Sequence, residues 1–152
     1  MSTHYEGTAA EIAALDAYIK LARAAESVSL RINDHLRDYN LTISQFGVLE
    51  ALFHLGPMQV GELGSKILKS SGNMTLVIDN LEKNGLVTRA RREDDRRRID
   101  VHLTDKGQAL VSGVLPRHVD GVVAAFAALE PEQLATLATL CRQLGLSQAP
   151  DK

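Results

Sequence analysis

The spacing of apolar residues predicts a mainly helical chain that begins with one long helix. Between residues 11 and 40, apolar side chains recur at three- and four-residue steps, with no Gly or Pro between them. A helix of about 30 residues would be about 45 Å long. That is longer than a chain of 152 residues needs to cover its own core. We therefore expect this helix to pack against another molecule, such as a second copy of the chain.

Three shorter helical patterns follow. Thr42 or Ser44 can cap the first of them, which Gly56 ends. The second is the short segment QVGELGSKIL, and the third is SGNMTLVIDNLEKNG, capped by Ser70 and Ser71. The third pattern places four apolar residues at i, i+3, i+4 and i+7, namely Met74, Val77, Ile78 and Leu81.

Two alternating runs, LVTRAR and RRIDVHLT, come next and predict a β-hairpin around the charged connector REDDR. Thr104 can then cap a helix that Pro116 is expected to kink. The last helix begins at Pro131 and is expected to bury an apolar stripe of Leu134, Leu137, Cys141 and Leu144.

The middle of the chain thus reads as helix, short helix, capped helix and hairpin, which is the order of a winged helix-turn-helix. We expect a mainly α fold with a small β-hairpin wing, in which residues 42–104 form a DNA-binding lobe. Residues 9–40 and 105–146 would form a helical dimerisation lobe within a single domain spanning residues 1–152. In this order the third helix is the one that enters the major groove.

Charge is unevenly distributed in a way that fits this reading. The whole chain has a formal net charge of −2, which taken alone argues against binding to nucleic acid. Residues 66–98, however, hold nine Lys and Arg against five acids, a local net charge of +4, and the remainder carries −6. A basic middle in an acidic protein is a local electrostatic footprint for DNA.

Several other classes of protein are not expected. One cysteine excludes an internal disulfide and suits a reducing cytoplasm. No secretory signal is recognisable, and no apolar run seen in the sequence approaches the length of a membrane span. No cofactor is expected, and the histidines at positions 4, 35, 54, 102 and 118 lack the spacing of metal ligands.

The segment SSGNMTLVIDNLEKNGLVTRARREDDRRRIDVHLTDKG resembles the recognition helix and wing of the MarR family of bacterial transcription regulators. LTISQFGVLEALFHLGPMQVGEL resembles the helices that precede them in that family, and LPRHVDGVVAAFAALEPEQLATLATLCRQLG resembles its C-terminal dimerisation helices. The resemblance runs from about residue 12 to residue 145, and the DRR…LT pattern of the wing is its most diagnostic part.

The resemblance implies a homodimer on a palindromic operator in double-stranded DNA. It also implies that an Asp in the wing is followed two positions later by an Arg that enters the minor groove, and here those residues are Asp95 and Arg97. We expect Asp95 to hold the Arg97 guanidinium through charge-assisted hydrogen bonds. The predicted DNA contacts are Lys69, Ser70, Ser71, Asn73, Thr75, Leu76, Arg89, Arg91, Asp95, Arg96, Arg97 and Arg98.

Leu76 departs from the family pattern, in which an arginine is common on the exposed face of this helix. Its side chain would either meet a thymine methyl group or be buried by a neighbouring helix. Ser70 and Ser71 would contact phosphate, cap the helix, or do both.

The family also binds small phenolic or aromatic effectors near the junction of its lobes. By that resemblance, the candidate effector residues are Arg31, His35, Tyr39 and His54, each of which is equally compatible with an ordinary surface position. Cys141 lies on an apolar stripe, which favours an inert buried thiol over a redox switch.

Three functions remain in competition. The first is a repressor released by an effector, and the second is an effector-independent regulator or activator with the same fold. The third is a metal-dependent nuclease that uses Glu93, Asp94, Asp95 and Asp100. It ranks far below the others because arginines are interspersed among these acids on a loop, and we expect no catalytic residues.

Overall fold

The computed structural model describes residues 4–67, 71–92, 94–95 and 97–148, with Ser71 described by its backbone alone. The described helices are α1 (Ala9–Asn33), a 3-10 helix (Asp34–Tyr39), α2 (Ile43–Leu55), α3 (Val60–Lys66), α4 (Ser71–Lys83), α5 (Asp105–Phe126) and α6 (Pro131–Ser147). The described strands are β1 (Met58–Gln59), β2 (Val87–Arg91) and β3 (Ile99–Leu103). The mainly α fold class and the β-hairpin are confirmed.

The first helix ends earlier than predicted. α1 stops at Asn33, and the chain continues as a 3-10 helix to Tyr39, where a continuous α-helix to Asn40 was expected. Asn and Asp side chains compete with the backbone for hydrogen bonds, and 3-10 winding is common at helix ends. Asn40 then adopts a left-handed conformation with φ of 53°, which turns the chain towards α2.

The predicted caps of α2 and α5 are present. The Thr42 hydroxyl accepts from the backbone N–H of Gln45 at 3.2 Å, and the Gln45 side chain accepts from the backbone N–H of Thr42 at 2.9 Å. Thr104 Oγ1 accepts from the backbone N–H of Gly107 at 3.0 Å. These bonds satisfy amides that have no partner inside the first turn of a helix, so both helices start where the sequence predicts.

The sheet has one strand more than predicted. β3 lies between β1 and β2 and is antiparallel to both, with Met58 opposite Val101 on one side and Arg91 opposite Ile99 on the other. β1 has only two residues, too few for an alternating pattern to be visible in the sequence. The pairing places the base of the hairpin against the core, and its tip extends beyond it, where Ile99 is exposed.

By its internal contacts the chain divides into two compact units. One comprises residues 33–118, and the other comprises residues 1–32 together with 119–152. The first of these contains the main apolar core, to which α5 contributes Val111 and Val114. A tight contact joins the start of α5 to the chain just before β2, because a Cβ placed on Gly107 would overlap the carbonyl oxygen of Leu86.

The second unit has little core of its own. In α6, Leu134 is half-buried, whereas Leu137, Cys141 and Leu144 are exposed, so the prediction that this stripe is buried is wrong for the single chain. In the described part of the unit, no further layer of helix covers that side of α6. A cavity of about 620 Å³ lies between the end of α5 and α6, lined by apolar side chains that include Val122 and Phe126 and by Cys141.

By length and composition alone, α5 is long and apolar enough to span a membrane, whereas the sequence pattern predicts no such segment. It has 22 residues, and its most apolar window has a mean hydropathy of 1.2. The same helix carries Arg117 and Asp120, and Val111 and Val114 pack in the core of the first unit. Core helices of water-soluble proteins reach the same values, so this property is weak evidence for a membrane span.

Candidate nucleic-acid interface

Helix α4 has one buried and one exposed face, as the sequence predicts. Met74, Val77, Ile78 and Leu81 are all buried in the core. The opposite face is exposed at Gly72, Asn73, Thr75, Leu76, Asn80 and Lys83. An amphipathic helix held by one apolar stripe offers the other face to a partner without disturbing the core.

Leu76 lies on the exposed face, and 61% of it is accessible. The sequence left two environments open for this side chain, a thymine methyl group or a neighbouring helix. The structure excludes burial by a neighbouring helix within the described chain. Asn73 and Thr75 lie on the same exposed side of the first turns of α4. The predicted contacts Lys69 and Ser70, and the side chain of Ser71, lie outside the described residues.

Arg89 on β2 is bound to α4 by two carboxylates. Its guanidinium donates to Glu82 Oε2 and to Asp79 Oδ1, each at 2.6 Å, and its backbone N–H donates to Glu82 Oε1 at 3.0 Å. Burial alone would lower the pKa of Arg89, but the hydrogen bonds to Asp79 and Glu82 outweigh it and raise this pKa above its ordinary value.

This arrangement changes the role predicted for Arg89. A guanidinium occupied by two carboxylates has few donors left for a phosphate. We therefore assign it to positioning α4 against the hairpin, in place of the phosphate contact expected from the sequence. It also neutralises the two acids on α4, which would otherwise repel an anionic partner.

The connection between β2 and β3 closes through backbone hydrogen bonds and through Asp95. The backbone N–H of Arg92 donates to the carbonyl of Arg98 at 3.0 Å, and the N–H of Arg98 donates to the carbonyl of Asp95 at 2.9 Å. Asp95 Oδ1 accepts from the backbone N–H of Arg97 at 3.0 Å, and its Oδ2 lies 3.6 Å from Nε of Arg98.

Asp95 is thus bonded to the backbone of Arg97, whereas the sequence predicts that it holds the guanidinium. A carboxylate that accepts an N–H two residues ahead stabilises a tight turn. The carboxylate therefore fixes the turn from which the Arg97 side chain projects, and leaves the guanidinium itself available.

The wing arginines fall into two groups. Arg92 pairs with Asp94, Nε to Oδ1 at 3.0 Å, and lies 3.6 Å from Asp100 Oδ2, while Arg98 faces Asp95. Arg91 and Arg97 are exposed, and neither forms an ion pair with any residue that the structure describes. Arg96 lies outside the described residues. Arg91 and Arg97 are therefore the described wing cations best placed to meet an anionic partner.

The residues proposed for an effector are divided between the two units. Arg31 is exposed at the end of α1, and His54 is exposed near the end of α2, where its ring lies against Phe53. His35 is buried and has Tyr39 at a ring distance of 6.4 Å and His118 at 5.3 Å. The structure thus groups His35 with Tyr39 and separates their ring contacts from that of His54.

Phe46 and His118 complete this aromatic cluster and were not proposed for an effector from the sequence. Their ring centroids are 4.7 Å apart. Burial lowers the pKa of His118; the nearby Glu50 carboxylate opposes this shift, and His35 adds to it. Nδ1 of His118 is buried and has no hydrogen-bond partner in the described chain. The sequence shows that Phe46 and His118 each lie on a helical stripe, but it does not show that α2 and α5 bring the two rings together.

The acids of the wing do not assemble as a catalytic centre. Asp94, Asp95 and Asp100 each lie beside an arginine, and no group of three or more His, Cys, Asp or Glu in the described residues could hold a metal ion. Glu93, the fourth member of the alternative nuclease cluster, lies outside the described residues.

The sequence and the fold are both similar to known transcription regulators. The sequence model of the MarR family matches residues 41–99. A regulator of the helix-turn-helix type from Bacillus subtilis, YkoM, is 35% identical over 133 residues, which cover 88% of this chain and 86% of that protein.

Two solved structures of regulators are similar over most of the chain. Sco3205 of Streptomyces coelicolor, a MarR family regulator in complex with DNA, is 25% identical with a TM-score of 0.84, covering 99% of this chain and 95% of the other. BpsR of Bordetella bronchiseptica, whose DNA binding is regulated by 6-hydroxynicotinic acid, is 26% identical with a TM-score of 0.77. That match covers 85% of this chain and 98% of BpsR.

Proposed function

The chain belongs to the MarR family of DNA-binding transcription regulators, which are not enzymes, and we propose that it acts as a homodimeric repressor that a small effector releases from DNA. The proposed partner is a palindromic operator in double-stranded DNA, and the proposed location is the cytoplasm. The alternative within the same family is a regulator, or an activator, that needs no effector.

The observation that carries the DNA-binding geometry is the combination of α4 and the wing. The outer face of α4 carries polar side chains and Leu76, and it does not pack in the core. The hairpin presents Arg91 and Arg97, which have no carboxylate partner in the described chain. The proposed contacts from α4 are Asn73, Thr75 and Leu76, with the N–H groups of its first turn facing phosphate. Arg97 is proposed to enter a narrow minor groove, whose potential attracts a guanidinium.

The proposal of a homodimer rests on apolar residues that the single chain leaves exposed. They lie on α1, on the second half of α5 and on α6, and include Tyr18, Leu30, Val119, Val123, Leu140 and Leu144. Contiguous exposed apolar surface is typical of an interface between subunits. A second copy would bury the same faces, including the cavity between α5 and α6.

An aromatic effector is supported by one relative and by the chemistry of four residues. In BpsR, DNA binding is regulated by 6-hydroxynicotinic acid, an aromatic acid. In this chain, His35, Tyr39 and His54 offer rings and hydrogen-bonding groups, and Arg31 offers a cation for an acidic substituent. We propose that an effector of this class contacts some of these residues.

The proposed release mechanism is geometric. The two copies of α4 must lie about 34 Å apart to enter successive major grooves. An effector that binds better to a dimer with another spacing lowers the affinity for DNA by that difference in binding free energy.

Selection from a random double-stranded DNA library tests the proposal. We expect one palindromic sequence to be enriched, and we expect its affinity to fall with salt at a log–log slope near −5, for about six neutralised phosphates. A set of phenols, quinones and aromatic acids would then be titrated into the selected complex. Failure to enrich any sequence would contradict operator binding, and an unchanged complex with every ligand would favour the effector-independent alternative.

A further inference from the structure

We propose that Leu76 reads the 5-methyl group of a thymine in the major groove and that Gly72 makes this contact possible by letting α4 approach the base edges closely. This proposal rests on the proposed DNA-binding function and adds a base preference to it. The operator half-site would carry a thymine opposite Leu76, in an A·T-rich stretch.

The position of Leu76 on the helix is the first argument. At 100° per residue, Leu76 points within about 30° of the direction opposite to the buried stripe. It is 61% exposed, so the side chain contributes little to the core of the chain. A single exposed leucine is common on protein surfaces. Its meaning therefore depends on its neighbours.

Gly72 lies one turn before Leu76 on the same face and is the second argument. A Cβ added to Gly72 would meet nothing within 4 Å, so packing inside the chain does not require a glycine here. Glycine weakens a helix relative to alanine. Gly61, Gly113 and Gly145 have the same free space, so the argument for Gly72 is its position. It lies one turn before Leu76, and without a Cβ it leaves room for a base edge beside that leucine.

The other exposed side chains of α4 favour A·T pairs over G·C pairs. Arginine and lysine are the usual readers of guanine, asparagine reads adenine, and apolar groups meet the thymine methyl. Between Gly72 and Lys83, the exposed face offers Asn73, Thr75, Leu76 and Asn80, of which Thr75 has no preferred base, and its only cation is Lys83 in the last turn. The helix thus carries the chemistry for adenine and thymine in the turns that would lie deepest in the groove.

Charge complementarity indicates that the occupant of this face is DNA. Arg89 neutralises Asp79 and Glu82, the two acids of α4, and the wing beyond adds the exposed cations Arg91 and Arg97. The amides on the face of Leu76 suit base edges, and the exposed guanidinium groups of the wing supply the positive charge that phosphates require.

Replacement of thymine by deoxyuracil tests the contact, because it removes only the methyl group. In the DNA selected by the wild-type protein, each thymine pair related by symmetry would be replaced in turn and the Kd measured. Loss of one buried methyl is worth about a fourfold weakening, so both half-sites together should give about fifteenfold. One thymine position should show this loss with the wild type and none with Leu76→Ala.

The matched control is Leu55→Ala on α2, because Leu55 is 59% exposed and lies outside α4. It should keep the full response to deoxyuracil. An equal response in wild type and Leu76→Ala, or no thymine position that responds, would overturn the proposal. Failure of the wild type to select any DNA would instead overturn the proposed function, so the two failures are distinguishable.

Gly72→Ala separates close approach from a structural role. We expect its Tm to rise, since alanine favours helix, while its affinity for the selected DNA falls at least tenfold. The matched control is Gly113→Ala in α5, where an added Cβ also meets nothing within 4 Å. This variant should gain stability and keep its affinity. Unchanged DNA affinity in Gly72→Ala would overturn the part of the proposal that concerns this residue.

Discussion

Arg97 is the residue of the wing whose removal should affect DNA binding most. Its guanidinium has no ion-pair partner among the described residues, so Arg97→Ala leaves no buried or paired group behind. We expect Kd for the selected DNA to rise at least tenfold, and the salt slope to fall in magnitude by about two, one for each copy. Fluorescence anisotropy at several salt concentrations measures both. An unchanged Kd at physiological salt would contradict insertion of the wing.

Asp95 should act through the backbone. Asp95→Ala removes the acceptor for the Arg97 N–H, and we expect a milder, several-fold loss of DNA affinity. Asp95→Asn keeps an oxygen that can accept the same hydrogen bond, so it should retain most of the affinity. If both variants bind DNA more tightly than the wild type, the acid only repels DNA and does not shape the turn.

His118 should make stability depend on pH. Burial lowers its pKa in the folded chain below the ordinary 6.5, so the unfolded chain binds more protons between the two values. The free energy of unfolding should therefore be highest above pH 6.5 and decrease as the pH falls through the folded-state pKa. Glu50 and His35 face the same ring and modify the effect.

Urea denaturation between pH 5 and pH 8 measures this dependence. We expect His118→Phe, which keeps an aromatic ring beside Phe46, to flatten the profile below pH 6.5. The exposed His54→Gln should leave it unchanged. A profile identical in wild type and His118→Phe would show that this histidine does not contribute.

At the scale of single residues, the sequence predicted the features that depend on residues only three or four positions apart. The buried stripe of α4 follows from a repeat of three and four, and Thr42 and Thr104 follow from the capping rules. The carboxylate partners of Arg89 lie 7 and 10 positions away, on another element, and no local pattern contains them. Asp95 was selected correctly as a wing residue, but the spacing did not specify which atom of Arg97 it bonds.

At the scale of elements, the contact between α4 and β2 can be tested by replacing two arginines of the same strand and comparing the stability of the two variants. Arg89→Ala removes a partly exposed double ion pair, and we expect the free energy of unfolding to fall by about 1 kcal/mol. Arg91→Ala removes an exposed cation with no described partner, so stability should not change, while DNA binding weakens. Equal stability of both variants would mean that the ion pairs of Arg89 with Asp79 and Glu82 do not hold α4 and β2 together.

At this scale the sequence predicted the helices and the hairpin but missed two local features. The strand β1 is too short to show alternation, and it forms only because β3 offers a free edge beside it. The 3-10 helix after Asn33 continues the apolar spacing of α1, so periodicity alone could not separate them. The interaction that decides β1 is made by another element, whereas the end of α1 depends on local Asn and Asp side chains.

For the whole molecule, the proposed second copy would explain both the long first helix and the exposed stripe of α6. Removal of residues 1–25 deletes most of α1, and with it the exposed apolar residues Tyr18 and Leu21. We expect the truncated chain to unfold or to lose its dimeric state, as measured by light scattering and circular dichroism. A folded, stable monomer would contradict the argument that α1 serves the dimer.

The exposed stripe of α6 shows what a sequence pattern does not specify about the whole molecule. A sequence pattern shows that Leu137 and Leu144 are suited to an apolar environment, but it does not say whether the same chain supplies that environment. In the single chain they are exposed. The sequence predicts that this stripe is buried, and the family resemblance assigns residues 105–146 to a dimerisation lobe. The spacing alone does not say which chain covers the stripe.

The proposed recognition of a methyl group by Leu76 would also extend to DNA that has been methylated. Cytosine has no methyl group at C5, and a DNA methyltransferase that adds one places it where thymine has its own. A side chain that recognises the group by apolar contact would accept it on either base, although the neighbouring exocyclic groups differ. Occupancy of a site with cytosine opposite Leu76 would then increase on methylation, so that a mark written on the DNA itself would adjust regulation alongside any diffusible ligand.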